Sequence, residues 1–320
     1  MSVAPGHGTR SMPRLLYLWK PVSWQGILVR TRTSVSTVQQ PQITDGQTPH
    51  RSPPEIGRRW NLDLGITGRV AIVTGGASGI GAATVRLLAL EGVRVAVWDI
   101  AVKEPVGAEM IQSVDVTSLT AVEAAWRQVE EQLGPVEILV HAAAIGSGHF
   151  GFPYTRVPVS AWERVLQVNI LGLVNVAHVA GPAMQSRGQG AIVFLSSVAG
   201  QMGSQTDPPY SASKAANINF AQCMAKDLAA SGVRVNSVCP GMVKTPLNES
   251  VWKSWHDQQP VEKRRSYEDW AADKINQVIP LRRWQQPDDI AAMIVFLCST
   301  RASEVTGQTI NVDGGCVMHS

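Results

Sequence analysis

The sequence lacks the marks of several protein classes. None of its four cysteines belongs to a Cys-x-x-Cys pair or a Cys/His cluster, so neither a disulfide framework nor a zinc site is indicated. Its seven histidines are scattered, and we predict no metal. No apolar run approaches the ~18–20 residues needed to cross a bilayer, so we predict no membrane partner. No Gly-x-Ser-x-Gly elbow occurs, which argues against Ser-His-Asp hydrolase chemistry.

Acidic residues are scarce at the amino-terminal end. Residues 1–60 contain eight Lys or Arg against two acids, Asp45 and Glu55, whereas the remainder contains twenty against twenty-three. The body of the protein is therefore slightly acidic despite a net charge of +3, and no nucleic-acid partner is predicted. Residues 1–62 are rich in Pro, Ser, Thr, Gln and Arg without sustained periodicity, so we predict a disordered, dispensable extension there.

Two other interpretations of residues 1–62 remain open. An Arg-rich, acid-poor start is typical of a mitochondrial transit peptide, and the segment could also be a translated stretch upstream of the true start. We expect a cytoplasmic protein with reduced, buried thiols. The mitochondrial matrix is the alternative location if the segment is a transit peptide.

From residue 63 to residue 320 the pattern predicts a single domain in which strands and helices alternate. The strands are apolar throughout, which is typical of a parallel sheet covered by helices on both faces. This alternation predicts a doubly wound α/β fold of the Rossmann type, interrupted at length only by residues 246–280. Strands are expected at residues 70–73, 93–97, 136–140, 191–195, 233–238 and 309–312, and helices at residues 80–90, 161–184, 210–230 and 288–298.

A glycine-rich turn follows the first predicted strand and opens the first predicted helix. Glycines there let the backbone approach a pyrophosphate, and the helix N-terminus offers free N–H groups to that anion. Glycines that serve only the turn are the alternative. Asp99 ends the second strand, eighteen residues beyond Gly81, where its carboxylate would accept from ribose hydroxyls and repel a 2′-phosphate. We therefore predict NAD rather than NADP.

Tyr210 and Lys214 lie four residues apart on a predicted helix, and therefore on one face. A free phenol ionises near pH ~10, and a neighbouring ammonium would lower that pKa and let Tyr210 exchange a proton with an alcohol. Ser197 precedes Tyr210 by thirteen residues. Asn169 is a polar residue in an otherwise apolar helix, which is unusual for mere packing.

These motifs resemble the short-chain dehydrogenase/reductase family from about Gly68 to Gly315. The resemblance implies a catalytic tetrad. Ser197 would polarise the substrate oxygen, Tyr210 would transfer the proton, and Lys214 would also bind the nicotinamide ribose. Asn169 would hold a water that links the lysine to solvent.

The resemblance also implies the cofactor contacts. Asp115 and Val116 match the position that follows the third strand and contacts adenine, and the loop after the sixth strand would hold the nicotinamide carboxamide. Where the family usually has Asn-Asn-Ala-Gly, this chain has His141 followed by three alanines. His141 could replace the lost hydrogen bond between the central strands. The predicted cofactor-binding set is Gly75, Ser78, Gly79, Ile80, Gly81, Asp99, Asp115, Val116, Ala142, Ala143, Tyr210, Lys214, Pro240, Gly241, Val243 and Thr245.

Residues 246–280 correspond to the family's substrate lid. This segment holds Trp252, Trp255 and Trp270, with Trp284 beyond it, and we expect at least two of these to pack the lid onto the body. The basic run 263–265 is expected to be a solvated surface, with an anionic substrate or acyl carrier as the alternative. The resemblance further implies a homo-oligomer, either a dimer or a homotetramer.

Three functions remain open at this point. The first is an NAD(H)-dependent oxidoreductase that interconverts a secondary alcohol (a polyol, sugar or ketol) and its ketone. The second is a 3-oxoacyl-(acyl-carrier-protein or CoA) reductase, which Asp99 disfavours because biosynthetic reduction normally draws on NADPH. The third is a non-catalytic NAD-sensing protein, for which a tuned phenol would be unnecessary.

Overall fold

The computed structural model describes residues 62–101, 105–149, 153–204 and 206–318. Apart from Leu62, the predicted extension lies outside the described residues. Seven parallel strands form one sheet in the order β3-β2-β1-β4-β5-β6-β7. The strands are β1 Val70–Thr74, β2 Arg94–Asp99, β3 Ala108–Ser113, β4 Val136–His141, β5 Gly190–Leu195, β6 Val233–Pro240 and β7 Thr309–Val312.

The described residues contain eight α-helices, five of which cover the two faces of the sheet. Helices α2, α4 and α5 pack on one face around Trp98, Trp126 and Phe194, while α1 and α8 cover the other face. The predicted doubly wound Rossmann-type fold is thereby confirmed. The helices are α1 Gly79–Leu90, α2 Leu119–Leu133, α3 Val159–Leu166, α4 Gly172–Arg187, α5 Pro208–Leu228, α6 Pro246–His256, α7 Tyr267–Val278 and α8 Pro287–Cys298.

The strand order reverses between β1 and β4, which both leave the sheet at the same edge. In open α/β sheets such a switch point forms a crevice at the carboxyl ends of the strands, where ligands bind. The glycine-rich turn follows β1, and the three alanines after His141 follow β4. The fold therefore brings the predicted cofactor residues to this crevice.

The structure differs from the sequence expectation in three regions. β3 and α2 had not been predicted from periodicity. The predicted helix 161–184 is two helices, α3 and α4, joined by a π-helical turn at Gln167–Leu171. Such a turn inserts an extra residue into the helical register, and here it carries Asn169. Residues 246–280, predicted only as an interruption, contain α6 and α7.

The α3–α4 region is long and apolar enough to cross a membrane on length and composition alone. Half of the most apolar window in Val159–Arg187 is buried inside the fold, and core helices of soluble proteins also have this character.

Candidate active site

The glycine-rich turn packs closely against the loop after β4. Gly75 has φ +65°, and a Cβ on it would lie 2.7 Å from the backbone nitrogen of Ala143. Gly81 packs against the backbone of the same turn, where no Cβ would fit. α1 begins at Gly79 without a capping bond from Ser78 and without an acid in its first turn. The free backbone N–H groups at the start of α1, around Ile80, therefore suit a pyrophosphate. The backbone can approach closely enough to form this site only because glycines line the turn.

Asp99 lies beside this turn. Its Oδ2 accepts from the backbone nitrogen of Ala77 at 3.1 Å, and its Oδ1 accepts from Ala101 at 3.0 Å. Asp99 is half-buried, whereas the next residue, Ile100, is exposed. The carboxylate is thereby fixed at the carboxyl end of β2, next to the predicted pyrophosphate position.

Asp115 and Val116 lie at the neighbouring strand end, where the backbone nitrogen of Val114 donates to the carbonyl of Asp99 at 3.2 Å. The Asp115 carboxylate accepts from the hydroxyl and the backbone nitrogen of Thr117, and these bonds hold its pKa below the usual range. Val116 is buried. The structure thus brings the residues predicted to contact adenosine together on adjacent strands.

His141 connects the two central strands of the sheet. Its Nδ1 lies 3.0 Å from the hydroxyl oxygen of Thr74, which also accepts from the backbone nitrogen of Ala143 at 3.2 Å. Ala142 donates to the carbonyl of Thr74 at 3.1 Å. The cross-strand bond expected of His141 is therefore present. Its Nε2, however, is buried without a partner among the described residues, so the histidine is only half satisfied. Burial, with a smaller effect of the Lys214 charge, lowers the pKa of His141 to about 3.

The loop after β6 faces the beginning of α1. Pro240 ends β6, and a Cβ on Gly241 would lie 2.9 Å from Cα of Asp313. Val243 is buried. The hydroxyl of Thr245 caps α6 by accepting from the backbone nitrogen of Asn248 at 3.2 Å.

A Cβ on Gly79 would lie 3.4 Å from Cγ2 of Thr245. The loop that was predicted to hold the carboxamide therefore lies next to the helix that was predicted to hold the pyrophosphate. This adjacency suits the nicotinamide half of a dinucleotide, which runs from the pyrophosphate to the carboxamide.

Tyr210 and Lys214 lie in the first two turns of α5. The Lys214 Nζ is 5.4 Å from the centroid of the Tyr210 ring and donates to the carbonyl of Leu195 at 2.7 Å. Lys214 is 2% exposed, and burial lowers its pKa to about 8.

The two serines after β5 have separate roles. The hydroxyl of Ser196 is buried and donates to the carbonyl of Lys214 at 2.7 Å, which joins β5 to α5. The Ser197 side chain instead faces the Tyr210 phenol and opposes the rise of its pKa, while the Ser197 hydroxyl accepts from the backbone nitrogen of Ala199 at 3.1 Å. The structure therefore favours Ser197 over Ser196 as the residue that faces a substrate oxygen.

Asn169 is fully buried in the π-helical turn. Its Oδ1 accepts from the backbone nitrogen of Ile145 at 2.8 Å, and its Nδ2 donates to the carbonyl of Ile145 at 2.9 Å and to the hydroxyl of Ser213 at 3.0 Å. Asn217, which the sequence analysis missed, donates to the backbone oxygen of Asn169 at 3.1 Å when its amide nitrogen faces that atom. The signal that would have found it is a polar residue three positions after Lys214.

The expected lowering of the Tyr210 pKa by Lys214 is not observed within the chain. Burial raises the pKa of Tyr210, the charge of Asp207 raises it further, and the nearby Ser197 side chain only partly opposes this rise. The physical reason is that the phenol loses water, while the Lys214 ammonium is directed at the carbonyl of Leu195. The chain's own groups therefore favour the protonated phenol.

The tryptophans around residues 246–280 form a cluster centred on Tyr267. The ring of Tyr267 lies 5.6 Å from Trp252 and 4.8 Å from Trp284, while Trp255 and Trp270 are 6.3 Å apart. Most of these ring contacts are made within residues 246–280, and Trp284 is the one ring among them from outside that segment, so packing of at least two tryptophans onto the body stays a prediction. In the basic run 263–265, every residue is exposed, and Arg265 forms an ion pair with Asp273.

Comparison with known proteins agrees with this geometry. The chain matches a family model described as enoyl-(acyl carrier protein) reductase over residues 75–317. The chain is a short-chain dehydrogenase/reductase. As a member of that family it is an oxidoreductase with a nucleotide cofactor and a small-molecule substrate.

Relatives of this short-chain dehydrogenase/reductase have different named activities. It is 35% identical over 265 residues to the 3-oxoacyl-[acyl-carrier-protein] reductase FabG of Thermotoga maritima, covering 79% of this chain and 99% of the relative. It is also 35% identical over 254 residues to the 2-dehydro-3-deoxy-L-rhamnonate dehydrogenase (NAD(+)) of a Sphingomonas species, covering 78% and 95%. The structure of L-sorbose reductase from Gluconobacter frateurii, complexed with NADPH and L-sorbose, superposes with a TM-score of 0.72 at 28% identity, covering 81% of this chain and 100% of that one.

Proposed function

We propose that this protein interconverts a secondary alcohol and its ketone by hydride transfer to and from NAD(H), with Tyr210 as the proton acceptor and donor. The observation that carries the proposal is the convergence of Ser197, Tyr210 and Lys214 at the carboxyl end of β5, beside the crevice.

Each residue of the tetrad has a defined part in this reaction. Ser197 holds the substrate oxygen next to the phenol, and Tyr210 takes the hydroxyl proton in oxidation or returns it in reduction. The nicotinamide ring, when bound, accepts or donates the hydride, and its oxidised form adds a positive charge that favours the phenolate. Lys214 adds a second positive charge, and Asn169 fixes the loop after β4 against α5.

The preference for NAD over NADP is supported by Asp99. Its fixed carboxylate suits ribose hydroxyls and repels a 2′-phosphate, and neither Ser78 nor Ile100 provides the cation that such a phosphate needs. The Sphingomonas relative is named for NAD(+), whereas the L-sorbose reductase structure contains NADPH. The proposal therefore depends on Asp99 itself rather than on the relatives.

The proposed substrate class is a polyol, sugar or ketol. Reduction of a 3-oxoacyl thioester is the second candidate, and similarity to the Thermotoga maritima reductase favours it. The exposed basic run 263–265 would suit an acyl carrier. A protein that only senses NAD is the third candidate.

We also propose a homo-oligomer, a dimer or a homotetramer, located in the cytoplasm. Support for the oligomer comes from large apolar side chains exposed on the α3–α4 region, including Leu166 at 39% and Leu171 at 49%. The mass in solution tests it, and a mass of one chain would contradict it. The mitochondrial matrix remains the alternative location.

The test of the proposed function is NADH absorbance against polyols, sugars, ketols and acyl thioesters, with both cofactors. We expect Tyr210→Phe to abolish turnover while NAD affinity stays within about a few-fold, because the phenol oxygen exchanges the proton. Tyr154→Phe is the matched control, since Tyr154 is 71% exposed, and it should keep full turnover. Tight NAD binding without turnover on any substrate would favour the sensor.

A further inference from the structure

Asp207 is a buried carboxylate that the proposed mechanism does not use. It precedes Tyr210 by three residues and is 6% exposed. As the N-cap of α5, its Oδ1 accepts from the backbone nitrogen of Tyr210 at 3.3 Å. Its Oδ2 accepts from the backbone nitrogen of Ser147 at 2.8 Å. One carboxylate thus connects the helix turn that carries the phenol to the loop after β4.

This loop also contacts α6 at the side of the lid. A Cβ on Gly146 would lie 3.0 Å from Oδ2 of Asp207 and 3.6 Å from Cδ1 of Leu247. The hydroxyl of Ser254, on α6, donates to the carbonyl of Gly148 at 2.9 Å. Asp207 therefore lies where α5, the loop after β4 and the lid meet.

The charge of Asp207 is poorly compensated. Among the described residues, no Lys or Arg lies within 4.0 Å of it. Burial raises its pKa, and the bonds from Ser147 and Tyr210, followed by the charge of His149, only partly oppose this rise. The other groups that face the Tyr210 phenol are Ser197, Lys214 and Cys239. Among the charged groups around the phenol, Asp207 raises the pKa of Tyr210 the most.

We propose that Asp207 is a positioning residue for this reaction: its carboxylate joins the turn that carries Tyr210 to the loop after β4, and its charge opposes formation of the phenolate. This inference rests on the proposed function. It means that one side chain connects the phenol-bearing turn to the substrate-side loop and also adds to the effect of burial on the proton affinity of Tyr210.

The pH dependence of turnover distinguishes this role from simple helix capping. Asp207→Asn and Asp207→Ser remove the charge, so the phenol ionises more easily. In the profile of turnover rate against pH, the rising limb for alcohol oxidation and the falling limb for ketone reduction should both move to lower pH, on the order of one unit. Asp289→Asn is the matched control. Asp289 accepts from the backbone nitrogen of Gln286 at the start of α8, at 2.8 Å, so its loss should lower stability without moving either limb. Reduced turnover with unmoved limbs in the Asp207 variants would overturn the charge effect.

Amide hydrogen exchange at Ser147 tests, without any need for turnover, whether Asp207 connects α5 to the loop after β4. A serine at position 207 is short and can accept from the backbone of Tyr210 but does not reach Ser147. Asp207→Ser should therefore speed exchange at Ser147 by at least about tenfold, and unchanged exchange would overturn the positioning role. If the wild-type protein turns over no substrate in the panel, only the proposed function fails. The exchange rate at Ser147 still shows whether Asp207 connects α5 to the loop after β4.

Discussion

At the scale of single residues, the proposed selection of NAD by Asp99 depends on the fixed position of its carboxylate. Both carboxylate oxygens accept backbone N–H bonds, from Ala77 and Ala101, so the side chain does not swing away when a larger ligand approaches. A 2′-phosphate at the adenosine ribose would meet this negative charge at close range. Exposed Ile100, next in the chain, offers a position for a compensating cation.

The double variant Asp99→Ala with Ile100→Arg should shift preference toward NADP. Removing the carboxylate relieves the repulsion, and the new guanidinium pairs with the phosphate. We expect the ratio of kcat/KM for NAD to that for NADP to fall at least about tenfold, which corresponds to ~1.4 kcal/mol. Asp115→Ala, at the neighbouring strand end, is the control and should leave the ratio unchanged. An unaltered ratio in the double variant would refute the role given to Asp99.

Ser197, Tyr210 and Lys214 could be proposed from the sequence because their spacing is local or follows a strand end, and the resemblance added Asn169. Asp207 and Asn217 could not be proposed in this way. Their partners, Ser147 and the backbone of Asn169, lie 60 and 48 positions away in the sequence, and only the fold brings them together. The raised pKa of Tyr210 escaped prediction for the same reason, since spacing shows Lys214 but not the loss of water.

At the scale of elements, the joint between β5 and α5 requires close backbone approach. A Cβ on Gly200 would lie 2.6 Å from the carbonyl carbon of Lys214 and 2.7 Å from the backbone nitrogen of Ala215. The short helical turn Val198–Gly200 can therefore press against α5 only with glycine at this position. The same turn follows Ser197, so its fit determines how the serine hydroxyl meets the phenol.

Gly200→Ala should destabilise the protein and slow turnover. The methyl group has to displace backbone rather than a flexible side chain, which costs about 1–3 kcal/mol. Gly203→Ala is the matched control, because a Cβ there would contact nothing within 4 Å, and it should change neither property. Thermal unfolding and initial rates measure the two effects. Equal behaviour of the two variants would contradict the close approach described.

Elements with strong periodicity were predicted well, and the others were not. β1, β4 and β5 are buried almost throughout, and their sequences are largely apolar. β3 lies at the sheet edge with a partly exposed, mixed sequence, so its strand character depends on pairing with β2. The division between α3 and α4 lies at the turn that carries Asn169, and the side-chain hydrogen bonds of Asn169 are not visible in the periodicity.

At the scale of the whole molecule, the sheet is held between two apolar cores, and His141 lies buried in its central strand. Since burial lowers its pKa to about 3 from an unfolded value near ~6.5, the unfolded chain takes up a proton that the folded chain does not. His141 therefore contributes no acid sensitivity well above pH ~6.5, and its contribution to stability is lost as the pH falls from ~6.5 toward ~3.

His141→Asn should make the protein less sensitive to acid. Between pH 7 and pH 5, the wild type should lose about 1–2 kcal/mol more unfolding free energy than this variant, because asparagine does not titrate. Denaturant unfolding at both values measures the difference. His178→Asn, at an exposed histidine, is the control and should lose as much as the wild type. Parallel losses in the wild type and in His141→Asn would show that residue 141 is not buried as a neutral ring.

The aromatic cluster around Tyr267 has no member in common with either core of the sheet. Mutations in residues 246–280 therefore leave the packing of both sheet cores unchanged, and the strand ends that carry the reactive residues stay in place. A lineage of such proteins could acquire new substrates by successive replacements in this one segment and still inherit the same hydride-transfer machinery.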